Sequence, residues 1–378
     1  MTSPRPRLGT RVRSGWVVGR VGGIPVVLGA SWVLIAAVLV LLYFPLVRDL
    51  VPGAGLGTVV ATTVAFVVML FVSVLLHELA HGFTALRFGV RPREYVMTFW
   101  GGHTSFEQDL GRPGVSALVA IAGPAANAML ALLAWLALET LTITGPGALL
   151  VYGALFSNGL VAAFNLLPGL PLDGGHVLEA IVWGVTGDRT RGTVAAAWIG
   201  RLVVAGIVVV VLVVPLVQGR RPDLSDVWLL LIAFFLWTGA GEALRAARAR
   251  RQVASIDLGA LAVPAVAVDA GSSLADAAGS AGEGAHVVLV AAGRPVALLD
   301  PDAAAQVPAE ARAQTPATAV ARTLAPQQVV VVTRGAAALE AVAVAQHHGS
   351  FVVLLDDGEV RGVVDVAAVA RAMRTARP

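Results

Sequence analysis

Six long stretches of this sequence carry almost no charge: 26–47, 56–76 continuing past polar positions to 86, 115–138, 148–172, 202–217 with a lead-in from 193, and 227–241. A run of about 18 or more apolar residues is long enough, as a helix, to cross the hydrocarbon of a bilayer. The last two runs are the shortest. Over all 378 residues, 57% are hydrophobic and 13% charged, against roughly 25% charged in an ordinary soluble domain, so part of the chain must sit in lipid. The first run is too long for the apolar region of a signal peptide, and no small-residue cleavage site follows it, so it reads as a span. Cysteine is absent, which excludes disulfides, thiolate zinc sites and cysteine nucleophiles and leaves His, Asp and Glu as the strong metal ligands. All 27 basic residues are arginine, and they do not gather on one face. That distribution argues against a nucleic-acid partner.

The arginines predict an orientation. With the N-terminus inside, the inner segments hold Arg5, Arg7, Arg11, Arg13, Arg20, Arg87, Arg91, Arg93, Arg112, Arg189, Arg191, Arg201, Arg245, Arg248, Arg250 and Arg251, while the outer loops hold only Arg48, Arg220 and Arg221. Sixteen against three places both ends of the chain in the cytoplasm. After Arg251 the composition turns to short β-branched runs alternating with Ala-rich stretches, the pattern of a soluble α/β region. Residues 286–290 (HVVLV) match 351–355 (FVVLL), Leu274 matches Leu339, and 297–300 (ALLD) match 362–365 (GVVD), each pair 65 residues apart. One ungapped offset across three elements predicts two copies of a β-α-β-β-α unit, each too small to bury its apolar face alone. The expected organisation is a cytosolic segment 1–25, a six-span part 26–245, an Arg-rich linker 246–255 and a tandem repeat 256–378, with copies at about 256–320 and 321–378.

Chemistry concentrates in the second run, which contains His77-Glu78-Leu79-Ala80-His81. Histidines at i and i+4 share a helix face and can meet one zinc ion, with Glu78 directed toward a metal-bound water. Ionisable groups inside a span are costly and mark function by default. A catalytic zinc takes three protein ligands, and Asp173 is the favoured third, in the segment Asn165-Leu166-Leu167-Pro168-Gly169-Leu170-Pro171-Leu172-Asp173-Gly174-Gly175. His103, His176 and Glu179 are the alternatives. The prolines break the helix there, and irregular backbone at membrane depth requires protein or a water-filled cavity beside it. Depth is consistent, because His77 lies about 15 Å of helix from Arg87.

Together, His77-Glu78-Leu79-Ala80-His81 on a membrane helix, Ala122-Gly123-Pro124 with Asn127 in the next span, and Asn165…Pro168…Pro171-Leu172-Asp173-Gly174-Gly175 resemble the site-2 protease family of intramembrane zinc metalloproteases. The six-span form with a C-terminal repeat is similar to the bacterial subgroup that includes the sporulation-factor processing protease, and the repeat resembles a CBS-domain pair. The resemblance covers nearly the whole chain. It implies a polytopic α-helical membrane protein with a cytosolic α/β CBS-like pair in a bacterial plasma membrane. It also implies one zinc per chain on His77, His81 and Asp173, with Glu78 as general base, and Asn127 and Asn165 lining the site to hold substrate backbone or the oxyanion. The segment 95–102, with Phe99, Trp100, Gly101 and Gly102, reads as a short hairpin or edge strand that pairs with an unwound substrate by strand addition. Its other reading is an interfacial loop anchored by Tyr95, Phe99 and Trp100.

Unlike many relatives, the chain leaves no room for a PDZ domain between the zinc motifs. Where CBS pairs hold ribose with Thr or Ser and an Asp three residues on, this chain has Asp300 with Ala303 and Asp365 with Ala368. A dimerisation or docking module, giving a homodimer, is therefore expected in preference to an ATP site. The implied substrates are single-span regulatory proteins such as anti-sigma factors, membrane-tethered transcription factors or pro-proteins. The rival reading is a CBS-regulated six-span divalent-metal transporter using His77, His81 and Asp173. It gives no reason for Glu78 beside His77, and no other span carries acids suited to a permeation path. A catalytically inert scaffold retaining structural zinc is a third reading.

Overall fold

The computed structural model describes residues 11–12, 15–98, 101–219, 224–282, 284–331 and 335–375. Phe99 and Trp100, and the orientation-setting Arg5, Arg7, Arg13, Arg220 and Arg221, lie outside them. The chain divides into two compact units, Met1–Ala247 and Arg248–Pro378.

The first unit begins with β1 (Arg11–Val12), β2 (Gly15–Val21) and β3 (Ile24–Leu28). Then come α1 (Ala30–Leu50), α2 (Leu56–Arg87), β4 (Pro92–Thr98), β5 (Gly101–Phe106), α3 (Pro113–Thr140), α4 (Gly145–Asn165), α5 (Asp173–Thr186) and α6 (Arg189–Val208). A π-helical turn, Val209–Val213, continues α6 into α7 (Val214–Val217), and α8 runs over Leu224–Ser255. Six helical segments among the described residues are long and apolar enough to cross a membrane: α1, α2, α3, α4, α6 with its continuation, and α8. They coincide with the six apolar runs, and this is a multi-pass membrane protein.

Three boundaries differ from the sequence reading. Residues 26–28, taken as the start of the first span, belong to strand β3, because a short apolar run has no period that separates a buried strand from a helix. The segment 246–255, expected to be a linker, is helical to Ser255, since arginine and alanine are strong helix formers. The stretch after the glycine pair forms α5, whose C-cap Gly187 has φ 69°. At 14 residues α5 is too short to span.

The five strands form one sheet in the order β1-β2-β3-β4-β5, with β3 parallel to β4 and the other neighbours antiparallel. Within the segment 95–102, residues 95–98 and 101–102 are paired antiparallel as strands β4 and β5, while Phe99 and Trp100 lie outside the described residues. Tyr95, offered by the loop reading as an interface anchor, is fully buried with Ile24, Val26, Met97 and Leu79 of α2. α2 lies against this sheet through Gly82, where an added Cβ would meet the Tyr95 hydroxyl and ring. β5 is an edge strand, its only partner being β4 among the described residues.

The second unit contains α9 (Leu258–Leu261), β6 (Val263–Asp269), α10 (Leu274–Ser280), β7 (His286–Ala291), β8 (Arg294–Leu299), α11 (Pro301–Ala305), β9 (Ala321–Thr323), β10 (Val329–Val330), α12 (Gly335–Ala345), β11 (Phe351–Asp356), β12 (Glu359–Asp365) and α13 (Val366–Thr375). The 65-residue offset appears as matched starts: β7 with β11, β8 with β12 and α11 with α13. The hairpin turns match too, since Ala292 and Asp357 both take left-handed backbone, at φ 49° and 50°. One seven-stranded sheet in the order β10-β11-β12-β6-β7-β8-β9 joins the copies. Val288 and Leu298 of one copy share a core with Val353 and Val363 of the other. This is the paired packing that copies of such size require. Asp300 accepts hydrogen bonds from the backbone N–H groups of Asp302 and Ala303, and Arg322 lies 2.7 Å from its carboxylate. That guanidinium holds the Asp300 carboxyl below its ordinary range.

Gly82→Ala should push α2 off the sheet and lower the unfolding temperature of the detergent-solubilised protein, corresponding to about 1–3 kcal/mol for an overpacked core. An unchanged melting temperature would show that the contact is soft.

Candidate metal centre

On α2, His77 and His81 lie one turn apart, and Glu78 lies between them in sequence; all three are buried. Each histidine is engaged from behind. The Nδ1–H of His77 donates to Oδ1 of Asn127, and that of His81 donates to the Val119 carbonyl at 2.6 Å, both on α3. With the proton on Nδ1, each neutral ring presents its Nε2 lone pair on the opposite side. The two Nε2 atoms are 3.1 Å apart and meet the Asp173 carboxylate at 3.1 Å and 3.5 Å.

Lone pairs facing one another at such distances repel unless a cation lies among them. Asp173 Oδ2 is buried with no hydrogen-bond partner. Ligands about 2.0–2.1 Å from a tetrahedral zinc stand roughly 3.3 Å from each other, close to the observed spacings, and the three ligand atoms all lie within 4.8 Å of one another. The donor set of two imidazoles and one carboxylate thus fits zinc.

Backbone geometry explains the flanking glycines. An added Cβ at Gly123 would fall among the Nε2 atoms of both histidines, so only hydrogen lets α3 approach the ligands. At Gly174 it would strike the Leu166 and Leu167 carbonyls, and at Gly175 the Gly169–Leu170 backbone. These glycines fold the broken segment between α4 and α5 back on itself and bring Asp173 to the histidines as the first residue of α5. The segment is covered by protein. Leu170 N–H donates to the Ala196 carbonyl on α6, Gly169 faces Gly200, and Pro171 faces Gly239 of α8. Irregular backbone is tolerated at membrane depth under such cover.

Glu78 faces β5. The Thr104 hydroxyl lies 2.7 Å from Glu78 Oε2 and 3.1 Å from the Glu78 carbonyl, and Gly102 has no room for a side chain because a Cβ would sit 2.7 Å from Oε1. Glu78, His81, Gly102, His103, Thr104, Phe106, Pro171, Asp173 and His176 border one cavity of about 550 Å³. Glu78, two members of the candidate ligand cluster, His81 and Asp173, and the edge strand therefore open onto the same space.

The alternative ligands are placed elsewhere. His103 lines the cavity but is not in the ligand cluster. His176 directs Nδ1 to Glu179 at 3.3 Å. Glu179 is buried and accepts from Arg189 at 3.0 Å and Thr193 at 3.1 Å. Burial alone would raise its pKa, yet His176 and Arg189 lower it to about 2. Asn127, expected against substrate, has its carbonyl on His77 and donates its amide to Asn158 Oδ1 at 2.7 Å; Asn158 donates to Ser73 at 3.1 Å. It orients a ligand from behind. Asn165 ends α4 and does not border the cavity. Sequence reasoning missed Thr104, Asn158 and Ser73, whose only signal was that each is a polar residue amid apolar sequence or in a short strand.

Comparison with known proteins agrees with the motifs. Residues 65–145 and 139–213 match the model of Peptidase family M50. A Synechocystis protein provisionally named a zinc metalloprotease is 32% identical over 243 residues, covering 62% of this chain and 61% of that protein. The similarly named Rip3 of Mycobacterium tuberculosis is 36% identical over 180 residues, covering 46% and 44%. The chain thus spans less than two thirds of the length of the curated relatives it matches. The solved site-2 protease of Methanocaldococcus jannaschii is 23% identical, covering 61% of this chain and 94% of that one, with a TM-score of 0.43. The likeness to Peptidase family M50 spans residues 65–213, within the membrane part.

Asn127→Ala should weaken zinc binding about 10–100-fold, as loss of a partner that orients a ligand does, measured by chelator competition. Unchanged affinity would mean that His77 is oriented by packing alone. Glu179→Gln should destabilise the protein near neutral pH. Because the folded pKa is depressed, that deficit is full above 4.5 and disappears as pH falls toward about 2. Melting temperatures of the two proteins at successive pH values test this, and a constant gap would contradict it.

Proposed function

We propose that this chain is an intramembrane zinc metalloprotease in which His77, His81 and Asp173 hold one zinc ion and Glu78 is the general base. The observation that carries the reading is the convergence of both Nε2 lone pairs on the Asp173 carboxylate, with His81, Asp173 and Glu78 lining one cavity edged by β5. The relatives' zinc-metalloprotease names support the same activity. Bound at this site, zinc supplies a Lewis acid that polarises a peptide carbonyl and makes water nucleophilic near neutral pH.

The protein's own residues supply the rest. Glu78 takes a proton from the attacking water and returns it to the leaving amine, so the peptide bond breaks with net addition of one water. The Thr104 hydroxyl fixes Glu78 Oε2 toward the cavity. Asn127 and the Val119 carbonyl keep both imidazoles in the ligating tautomer. A substrate helix hides its carbonyls in its own hydrogen bonds, so a segment must unwind before attack. The free edge of β5 offers that segment backbone partners along Gly101–Phe106, beside Glu78. Phe99 and Trp100, which precede Gly101 in the sequence, belong to the same proposed substrate-contacting segment.

The asymmetry of the arginines supports a bacterial plasma-membrane protein with both termini cytoplasmic. Regulated cleavage of single-span membrane proteins, such as anti-sigma factors, tethered transcription factors or pro-proteins, fits a cavity reached along an edge strand. The C-terminal pair suits docking or homodimerisation. The Asp300 carboxylate already carries Arg322, which leaves it poorly placed to hold ribose.

Glu78→Gln should retain zinc, measured by elemental analysis, and lower cleavage of a co-expressed single-span substrate about 10²–10⁴-fold. Membrane proteomes of cells carrying this variant should accumulate uncleaved fragments that identify the substrate. Undiminished processing would sink the hydrolase reading, and metal uptake unaffected by the substitution would favour the transporter.

A further inference from the structure

The arginines of α6 are not equivalent. Arg189 pairs with Glu179 and Asp109, and Arg191 with Asp188. Arg201 has no carboxylate partner among the described residues, and its Nε is buried with no hydrogen-bond partner. Its guanidinium lies instead between two indoles, 5.0 Å from the ring centre of Trp198 on α6 and 4.7 Å from that of Trp237 on α8.

Two cation–π contacts hold the guanidinium, each contributing about 0.5–2 kcal/mol. A guanidinium has five N–H donors, and aromatic faces do not take the place of acceptors for them. An uncompensated charge on a membrane helix is costly, so the arrangement calls for an acceptor from outside the chain. A planar fork of N–H groups matches phosphate in a bidentate manner.

Depth and surroundings identify the source of that phosphate. From Arg201 to the far end of the span at Val217 the helix rises about 24 Å, against about 30 Å for the hydrocarbon core. Arg201 thus lies toward the membrane face that carries the arginine-rich segments. Tryptophan favours the headgroup level, and both rings are about half exposed, at 54% and 49%. Next to them Leu202 and Phe234 are exposed apolar side chains, suited to acyl chains and not to a soluble anion.

We propose that Arg201, clasped by Trp198 and Trp237, binds the phosphate of an anionic phospholipid between α6 and α8. The site is independent of the metalloprotease reading. It joins two helices that also cover the segment carrying Asp173, since α6 meets Gly169 and Leu170 and α8 meets Pro171.

The test uses the full chain in phosphatidylcholine vesicles containing phosphatidylglycerol, with the bromine quencher on one lipid or the other. Of the eight tryptophans, Trp198 and Trp237 should be quenched preferentially by brominated phosphatidylglycerol, and replacing both by Phe should remove the excess. Arg201→Gln should lower the preference for phosphatidylglycerol about tenfold, while Arg201→Lys should retain much of it. Equal quenching by both brominated lipids in the unaltered protein would overturn the proposal, a comparison that needs no variant to fold. An undiminished preference in Arg201→Gln would do the same. Displacement by millimolar inorganic phosphate would assign the site to a soluble anion and overturn the lipid assignment.

Discussion

The membrane part depends on where two protons sit. His77 and His81 each spend their single N–H on α3, one on the Asn127 amide and one on the Val119 carbonyl. The nitrogens left facing inward can then only accept. Hydrocarbon makes this choice consequential, because an unsatisfied polar group has no water to turn to. Much of the surrounding construction follows from the need to complete these bonds. Asn127 is held by Asn158, Asn158 by Ser73, and α3 must come close enough for both bonds, which it does at Gly123. Three helices are thereby tied through one polar thread in an otherwise apolar packing.

Much of this architecture was legible in the residues, for identifiable reasons. Spans were readable because lipid demands unbroken apolar runs, and all six apolar runs correspond to a helix of spanning length. The histidine pair was readable because i, i+4 spacing on a helix fixes a shared face. Asp173 was readable because prolines and glycines announce a broken helix. The repeat was readable because one offset governs three elements. What escaped was non-local. Nothing in residues 24–28 announces that they pair with a strand some seventy residues on, because strand partners are set by tertiary packing and not by local period. Thr104 reaches Glu78 only because the hairpin folds back on α2, and Asn127 turns its carbonyl to His77 and its amide to Asn158. Such directions depend on the approach of neighbouring helices, which a linear pattern does not encode.

The two units solve burial differently. In the membrane part, glycines allow close approach: backbone against backbone at Gly169 and Gly200, the Pro171 ring against Gly239, and the Tyr95 ring against Gly82. Association between helices in lipid gains from such close approach, since lipid tails are as apolar as leucine. In the C-terminal unit water is the solvent, and β-branched residues do the equivalent job by filling a shared core, with Val288, Val353 and Val363 almost wholly buried. The same low charge fraction thus serves two different driving forces in one chain.

The fit at Gly123 has a mechanical corollary. Between α3 and the two imidazoles there is space for a hydrogen atom and not for a methyl group. The metal pocket is therefore coupled to the spacing of two membrane helices at a tolerance smaller than one carbon atom. Anything that shifts α3 against α2, whether bilayer thickness, lateral pressure or a helix wedged beside them, acts on the ligand geometry without touching a ligand.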